Sequence, residues 1–253
     1  MSKLEIETEN LETPALSVII PCYNEESCIS ETIENIISEL NIEKISFEIL
    51  CINNNSLDKT EEVLDNFSRL NPKVRYLNTD HEVGYGVAVK RGLESFTGRS
   101  AVIVMADGSE NPSEIVGLYR KLAEGYDCAF GDRFSDKERL INYPKFKYLL
   151  NRLGNRAIAW CINSSLTDLT YGFKCFRREL LQKIGPLISR DFNINLELFL
   201  KVYYTQATIA KVNTSWKERS SGESKFKLYK QCLMNIWTFL IIVYFRKFKL
   251  RIS

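Results

Sequence analysis

One histidine, His81, in 253 residues closes off a good deal of chemistry. A Ser-His nucleophilic pair needs an imidazole placed against the nucleophile, and a histidine metal cluster needs several. Neither reading is open to this chain. Seven cysteines occur without a single Cys-x-x-Cys pair. An odd, scattered set with apolar neighbours, as in "ILCI" and "DCAF", excludes a disulfide framework or a zinc site and reads as reduced core filler. The opening 13 residues, "MSKLEIETENLET", lack the apolar stretch of a signal peptide and read as a flexible acidic tail. No Gly-x-Gly-x-x-Gly follows the first apolar run, so dinucleotide binding is not indicated; Gly84-x-Gly86 taken alone is a turn. A formal net charge of +2 does not point to a nucleic-acid partner. The longest apolar stretch, about Cys232 to Phe245, is interrupted by Asn235 and Thr238 and falls short of the roughly 20 residues that a membrane span needs.

What is present is a regular alternation. "LSVIIPCYNEE" opens on a run suited to a buried strand that Pro21 should stop, and "SCISETIENIISEL" follows with apolar residues at helical spacing. "FEILCINNN" reads as a second strand, "SLDKTEEVLDNFSRL" as a helix capped by Ser56 or Asp58, and "KVRYLNT" as a short third strand. A turn and helix at "GYGVAVKRGLESF" lead to a fourth strand, "AVIVMAD". Then come a helix at "PSEIVGLYRKLAEG", a strand in "DCAFGDRF", a long helix at "YPKFKYLLNRLGNRAIAWCI", a strand-to-helix passage in "TDLTYGFKCFRREL", a helix in "NINLELFLKVYY" and a strand in "ATIAKVNTSW". Alternating strands and helices predict an α/β fold, a mostly parallel sheet with helices on both faces. One domain is expected over 14–228, followed by a separate amphipathic helix over 229–253.

In parallel sheets, ligands bind where the strands end at their carboxyl edge. Here those ends are polar: Tyr23, Asn24 and Glu25 after the first strand, Asn53 to Asp58 after the second, Asp107 to Asn111 after the fourth. A lone Asp after a strand is more often a cap or turn residue than a ligand. What marks Asp107 is the company of the other rims.

The motifs "IIPCYNEE", "NNNSLDKT", "GYGVAVKRGL", "MADGSENP", "DLTYGFKCFRRE" and "WKERSSGESKF", in this order, resemble the inverting family 2 glycosyltransferases of GT-A fold. Among these the chain is most similar to dolichol-phosphate mannosyltransferase and related polyprenyl-phosphate sugar synthases, from about Leu16 to about Lys227. The resemblance implies that Pro21, Tyr23, Asn24 and Glu25 hold a GDP- or UDP-linked sugar, with Asn53 at the position where many members carry a base-contacting acid. Asp58 and the Gly84/Gly86 turn complete the nucleotide side. The family's Asp-x-Asp is matched by Met105-Ala106-Asp107, so the first acid is missing. A divalent cation, Mg²⁺ or Mn²⁺, would then rest on Asp107, the diphosphate, and waters or Glu110.

Arg133, Lys147, Arg219 and Lys225 match the basic positions that face donor or acceptor phosphates, and with Asp107 they form the expected catalytic set. Such cations suit a reaction that brings two anions together. A phosphate acceptor, whose second pKa is about 6, needs no strong base, in keeping with the missing histidine. Asp168 and Glu197 remain as acceptor-side carboxylates, Glu197 reading better as a buried partner of a basic residue. The implied activity is hexosyl transfer with inversion to a polyprenyl or dolichyl phosphate; a saccharide or other non-lipid acceptor, or a catalytically impaired nucleotide-sugar-binding scaffold, are the alternatives. Trp237 and Tyr244, followed by Arg246, Lys247, Lys249 and Arg251, suit a helix lying in a membrane interface, which predicts a peripheral or monotopic place on the cytoplasmic face.

Overall fold

The computed structural model describes residues 13–136, 140–141, 143–217 and 228–247. The strands are Leu16–Cys22 (β1), Phe47–Asn53 (β2), Val74–Asn78 (β3), Ser100–Ile103 (β4), Cys128–Asp132 (β5), Leu140–Ile141 (β6), Lys174–Arg177 (β7), Ile209–Asn213 (β8) and Trp216–Lys217 (β9). The helices are Ile29–Ile42 (α1), Thr60–Leu70 (α2), Tyr85–Ser95 (α3), Pro112–Ala123 (α4), Lys145–Ile162 (α5), Arg178–Lys183 (α6), Ile194–Tyr204 (α7) and Leu228–Lys247 (α8). Seven strands form one sheet in the order β3-β2-β1-β4-β7-β5-β8, and β6 pairs with β9 in a small second one. Six of the seven run parallel, as the alternation predicts; β7 runs antiparallel to both β4 and β5. Strand direction leaves no mark on hydrophobic periodicity, so this reversal was invisible in the sequence.

The sheet is buried on both faces because successive side chains alternate between them. Val18 and Ile20 of β1 join Ile33, Ile36 and Leu40 of α1 and Ile115 and Leu118 of α4. Ile19 points the other way, with Leu50 and Ile52, toward Ala88 of α3. Beyond them α7 contributes Leu196, Phe199 and Leu200 to a cluster with Ile103, Phe130 and Phe176.

Pro21 does not stop β1, which runs on to Cys22 in register with β2. Ile19 O accepts from Val104 N on the β4 side, so two residues on the nitrogen of Pro21 faces that side too, where the β4 ladder has already ended. The missing N–H therefore leaves no ladder bond unmade. Helix α4 starts as its "NP" suggests, with Pro112 in the first turn and Asn111 accepting from Ser113 N at 3.1 Å. Ser56 and Asp58 do not serve as the backbone cap of α2, which is Lys59. Both bond across to the β1 loop, as described below, and Asp58 Oδ1 also accepts from Thr60 N, at the start of α2, at 3.0 Å.

Helix α8 is less separate than the sequence suggests. Thr238 is fully buried and accepts from Asn193 Nδ2 at 2.8 Å, and Ile242 joins the α7 cluster. The polar residue that would be costly in hydrocarbon is thus placed against the protein.

Lys174 is 1% exposed in β7, donates to the carbonyls of Tyr171 and Leu169, and lies 5.3 Å from the Phe130 ring centre. Burial, opposed by the charge of Asp168, lowers its pKa from the ordinary 10.5 to about 7. Between about 7 and 10.5 the unfolded chain holds one more proton at this site than the fold does, so stability rises with pH across that window. Lys174→Met removes the dependence. Its Tm relative to the parent protein should be highest at or below pH 7 and fall steadily toward pH 10; a difference that stays flat over that range would disprove the assignment.

Candidate active site

The carboxyl ends of β1, β2 and β4 meet over a cavity of about 540 Å³. Two loops are sewn together on the nucleotide side. Asn24 N donates to Ser56 Oγ at 3.0 Å, Leu57 N to Asn24 Oδ1 at 2.7 Å, Glu25 N to Thr60 Oγ1 at 2.8 Å, and Glu26 N to Asp58 Oδ2 at 3.2 Å. Asn24 and Asn55 take left-handed backbone conformations, φ 54° and 57°, which asparagine tolerates. The stitching leaves Pro21, Tyr23 and Glu25 along the cavity and sets Asn24 and Asp58 behind it. Asn53 is 2% exposed, and its amide donates to Asn78 Oδ1 and accepts from Ser56 N. The residue of this strand end that lines the cavity is the next one, Asn54.

Gly84 and Gly86 serve a close approach between two backbones. A Cβ on Gly84, at φ 146°, would lie 2.1 Å from Arg190 O, and one on Gly86 would lie 2.7 Å from Arg190 C. Gly86 N donates to Arg190 O at 3.1 Å. Glu197 fixes the same loop from below, accepting from Ile188 N at 2.9 Å and Ser189 N at 2.7 Å and pairing with Lys201 at 3.1 Å. It is a buried partner, not a cavity residue, and it positions the segment that brings Asp191 and Phe192 to the cavity.

At the end of β4, Asp107 Oδ1 accepts from Ser109 N at 3.1 Å around Gly108, whose φ is 66°. Ala106 sits behind it, 3% exposed, its carbonyl accepting from Thr32 Oγ1. Where the sequence offers Met105 in place of an acid, the strand accepts one from further on: Glu110 Oε2 receives Met105 N at 2.8 Å. Burial, and next the charge of Asp107, push the Glu110 carboxyl up to about 8. Its Oε1 is buried without a hydrogen-bond partner. Two hard oxygen donors, one of them orphaned and held in a site that disfavours a second negative charge, fit a divalent cation completed by phosphate oxygens and water. Among the described residues no three His, Cys, Asp or Glu side chains gather as a metal cluster, so such an ion would depend on the diphosphate.

Arg133 and Lys147 line the same cavity. Arg133 pairs with Asp168 through Nε at 2.8 Å and Nη2 at 3.0 Å, and its guanidinium lies 4.0 Å from the Tyr171 ring centre. Burial alone would lower its pKa, but the Asp168 carboxylate outweighs this and holds the cation charged. Arg133 is thus part of the buried structure as well as of the cavity: its side chain is 10% exposed and that of Asp168 is 0%. Lys147 Nζ lies 5.4 Å from the Tyr143 ring centre and 5.3 Å from that of Trp216. Arg219 and Lys225 lie outside the described residues. Sequence reasoning passed over Tyr85, Tyr171, Asn195 and Trp216, all on the cavity. Tyr85 and Tyr171 sit inside the motifs "GYGVAVKRGL" and "DLTYGFKCFRRE", where their hydroxyls were the available signal.

A strand-end cavity with carboxylates, cations and glycine turns on this sheet fits the GT-A glycosyltransferase that the motifs resemble. The chain belongs to glycosyl transferase family 2, whose model matches residues 17–185. Dolichol-phosphate mannosyltransferase of Pyrococcus furiosus is 28% identical over 218 residues, covering 84% of this chain and 59% of that protein. Polyprenol monophosphomannose synthase of Mycolicibacterium smegmatis is 27% identical over 214 residues, covering 82% of this chain and 79% of that one. The chain thus spans less than two thirds of the archaeal relative. A crystal structure of glucosyl-3-phosphoglycerate synthase from Mycobacterium tuberculosis with Mn²⁺, UDP and phosphoglyceric acid shares the fold at TM-score 0.72 and 18% identity, covering 90% of this chain and 78% of that one. The same protein has been crystallised with Mg²⁺.

Proposed function

We propose that this enzyme transfers a hexose from a nucleoside diphosphate donor to a polyprenyl phosphate at the cytoplasmic face of a membrane. The observation that carries the reading is the pair of helices beside the cavity. Lys147 and Asn151 of α5, and Gln231, Cys232 and Asn235 of α8, line it. Away from the cavity α5 exposes Phe146, Leu149, Leu153 and Trp160, spaced 3, 4 and 7 residues apart, and α8 exposes Leu233, Ile236, Trp237, Leu240 and Tyr244. The two helices contain Lys145, Lys147, Arg152, Arg156, Lys230, Arg246 and Lys247, and no carboxylate. Two helices that carry apolar residues and cations but no acidic residue of their own suit anionic head groups, whereas a second copy would bring like charges together. No described helix is long and apolar enough to cross a membrane. The relatives named for lipid-phosphate mannosyl transfer support the acceptor.

In the transfer, an acceptor phosphate oxygen forms a bond to the anomeric carbon while the bond from that carbon to the diphosphate oxygen breaks, and the nucleoside diphosphate leaves with the electron pair. A phosphate monoester is largely dianionic near neutral pH, so no base has to take a proton. Tyr23, Glu25 and Asn54 border the nucleotide, Asp107 and Glu110 would hold the cation, and Arg133 and Lys147 meet the phosphates. A bound divalent cation supplies positive charge to the leaving diphosphate. Arg219 and Lys225 are assigned with them on the motif resemblance.

Vesicle flotation tests the membrane part. The protein should float with vesicles containing phosphatidylglycerol, and Trp160→Gln with Trp237→Gln should abolish flotation without moving Tm by more than a few degrees, since both rings are solvent-exposed (85% and 56%). Protein that stays at the bottom with every vesicle would remove the lipid acceptor from the account.

A further inference from the structure

Four atoms on the cavity are buried without a partner in good hydrogen-bond geometry: the hydroxyls of Tyr85 and Tyr171, Asn195 Oδ1 and Glu110 Oε1, with Tyr85 facing Asn195 and Tyr171 facing Glu110. They are half of the eight such side-chain atoms among the described residues. Buried polar groups are nearly always paired, so this concentration marks a place where a ligand supplies the partners. The atoms are held in place. The Tyr85 ring stacks on Phe192 with centroids 4.4 Å apart and planes at 11°, and the Tyr171 ring lies under the Arg133 guanidinium. Asn195 is 4% exposed at the start of α7. Gly172 provides the bare spot around which they converge. A Cβ there would lie 2.8 Å from the Tyr85 hydroxyl and 3.3 Å from both terminal atoms of Asn195.

We infer that Tyr85, Tyr171 and Asn195 form a subsite that reads the hydroxyl groups of a neutral hexose carried by the donor. The inference rests on the proposed sugar transfer. The chemistry of the orphaned atoms selects the ligand: Asn195 Oδ1 only accepts, the phenols both donate and accept, and a carboxylate stands beside them. A phosphate oxygen only accepts, so it would leave Asn195 Oδ1 unmet, and the diphosphate is already assigned to the cation at Asp107 and Glu110 and to Arg133. A sugar hydroxyl donates and accepts at once and satisfies each. The ring of Phe192 stacked on Tyr85 adds an apolar wall of the kind a sugar's C–H face meets. None of these three residues belongs to the set that the motif resemblance supplies.

The test is calorimetry on the full chain with Mn²⁺, comparing UDP with UDP-glucose and GDP with GDP-mannose, for the parent protein and for Tyr85→Phe, Tyr171→Phe and Asn195→Ala. The variants should keep the parent's affinity for whichever nucleoside diphosphate binds and hold its sugar conjugate about tenfold more weakly, the loss of one or two hydrogen bonds. Their Tm should stay within a few degrees of the parent's, because the atoms removed make no strong hydrogen bond in the apo fold. Sugar and diphosphate affinities falling together, or neither changing, would overturn the subsite; the second result means the cluster holds water only. A parent protein that binds none of the four probes fails earlier, at the donor reading, and the inference falls with it.

Discussion

Replacing Asp168 by Ala is expected to destabilise the fold by about 3–5 kcal/mol, because it leaves the Arg133 guanidinium buried without a counter-charge. The pair is bidentate, and Asp168 also receives Arg133 N at 3.3 Å, so backbone and side chain are held together. Chain segments far apart in sequence, the end of β5 and the loop before β7, depend on this contact. For a chain of this size the loss corresponds to a fall in Tm of roughly 10 °C. Removing both charges as Arg133→Met with Asp168→Leu should recover much of the stability, since an uncompensated ion costs more than a missing pair. The double variant should nevertheless stay inactive, with the cavity's buried cation gone. Thermal denaturation of the three proteins decides the matter. An Asp168→Ala protein melting within 2 °C of the parent would show that the pair is not what holds the loop.

The second large effect is on turnover. Asp107→Asn should lower it at least a hundredfold, the consequence of losing several kcal/mol of charge stabilisation at the diphosphate. The amide can still accept from Ser109 N, so the turn around Gly108 survives and the folded fraction should match the parent's. Donor binding measured with and without Mn²⁺ should lose its metal dependence. Glu110→Gln is expected to act in the same direction but more mildly, because its Oε2 is already engaged by Met105 N. Equal activity of parent and Asp107→Asn would remove the carboxylate from the mechanism.

Much of this was written in local pattern. The apolar runs of β1, β2 and β4 gave the parallel half of the sheet, and their polar ends located the cavity, because buried strands need apolar residues on both faces and have no use for carboxylates at their tips. What the sequence could not display was pairing at a distance. Arg133 and Asp168 are 35 residues apart, and neither betrays that the other makes it buried. Glu110 reads as a helix-approach residue until its carboxyl is seen under the Met105 amide, a bond that depends on a turn at Gly108. Asn53 seemed ready to meet a base, yet Asn78 of the neighbouring strand occupies its amide. Helix α8 seemed an appendage because the partner of Thr238 is Asn193, at the start of another helix.

Whether the cavity moves a sugar onto a lipid phosphate, as proposed, is tested by transfer of radiolabel from a nucleotide sugar, GDP-mannose or UDP-glucose, to polyprenyl phosphate in anionic vesicles with Mn²⁺. A labelled, lipid-extractable product is expected to form with the parent protein and to be reduced at least a hundredfold with Asp107→Asn. Label that appears only on a water-soluble phosphate acceptor, or only in free sugar, or at the same rate with both proteins, would contradict it.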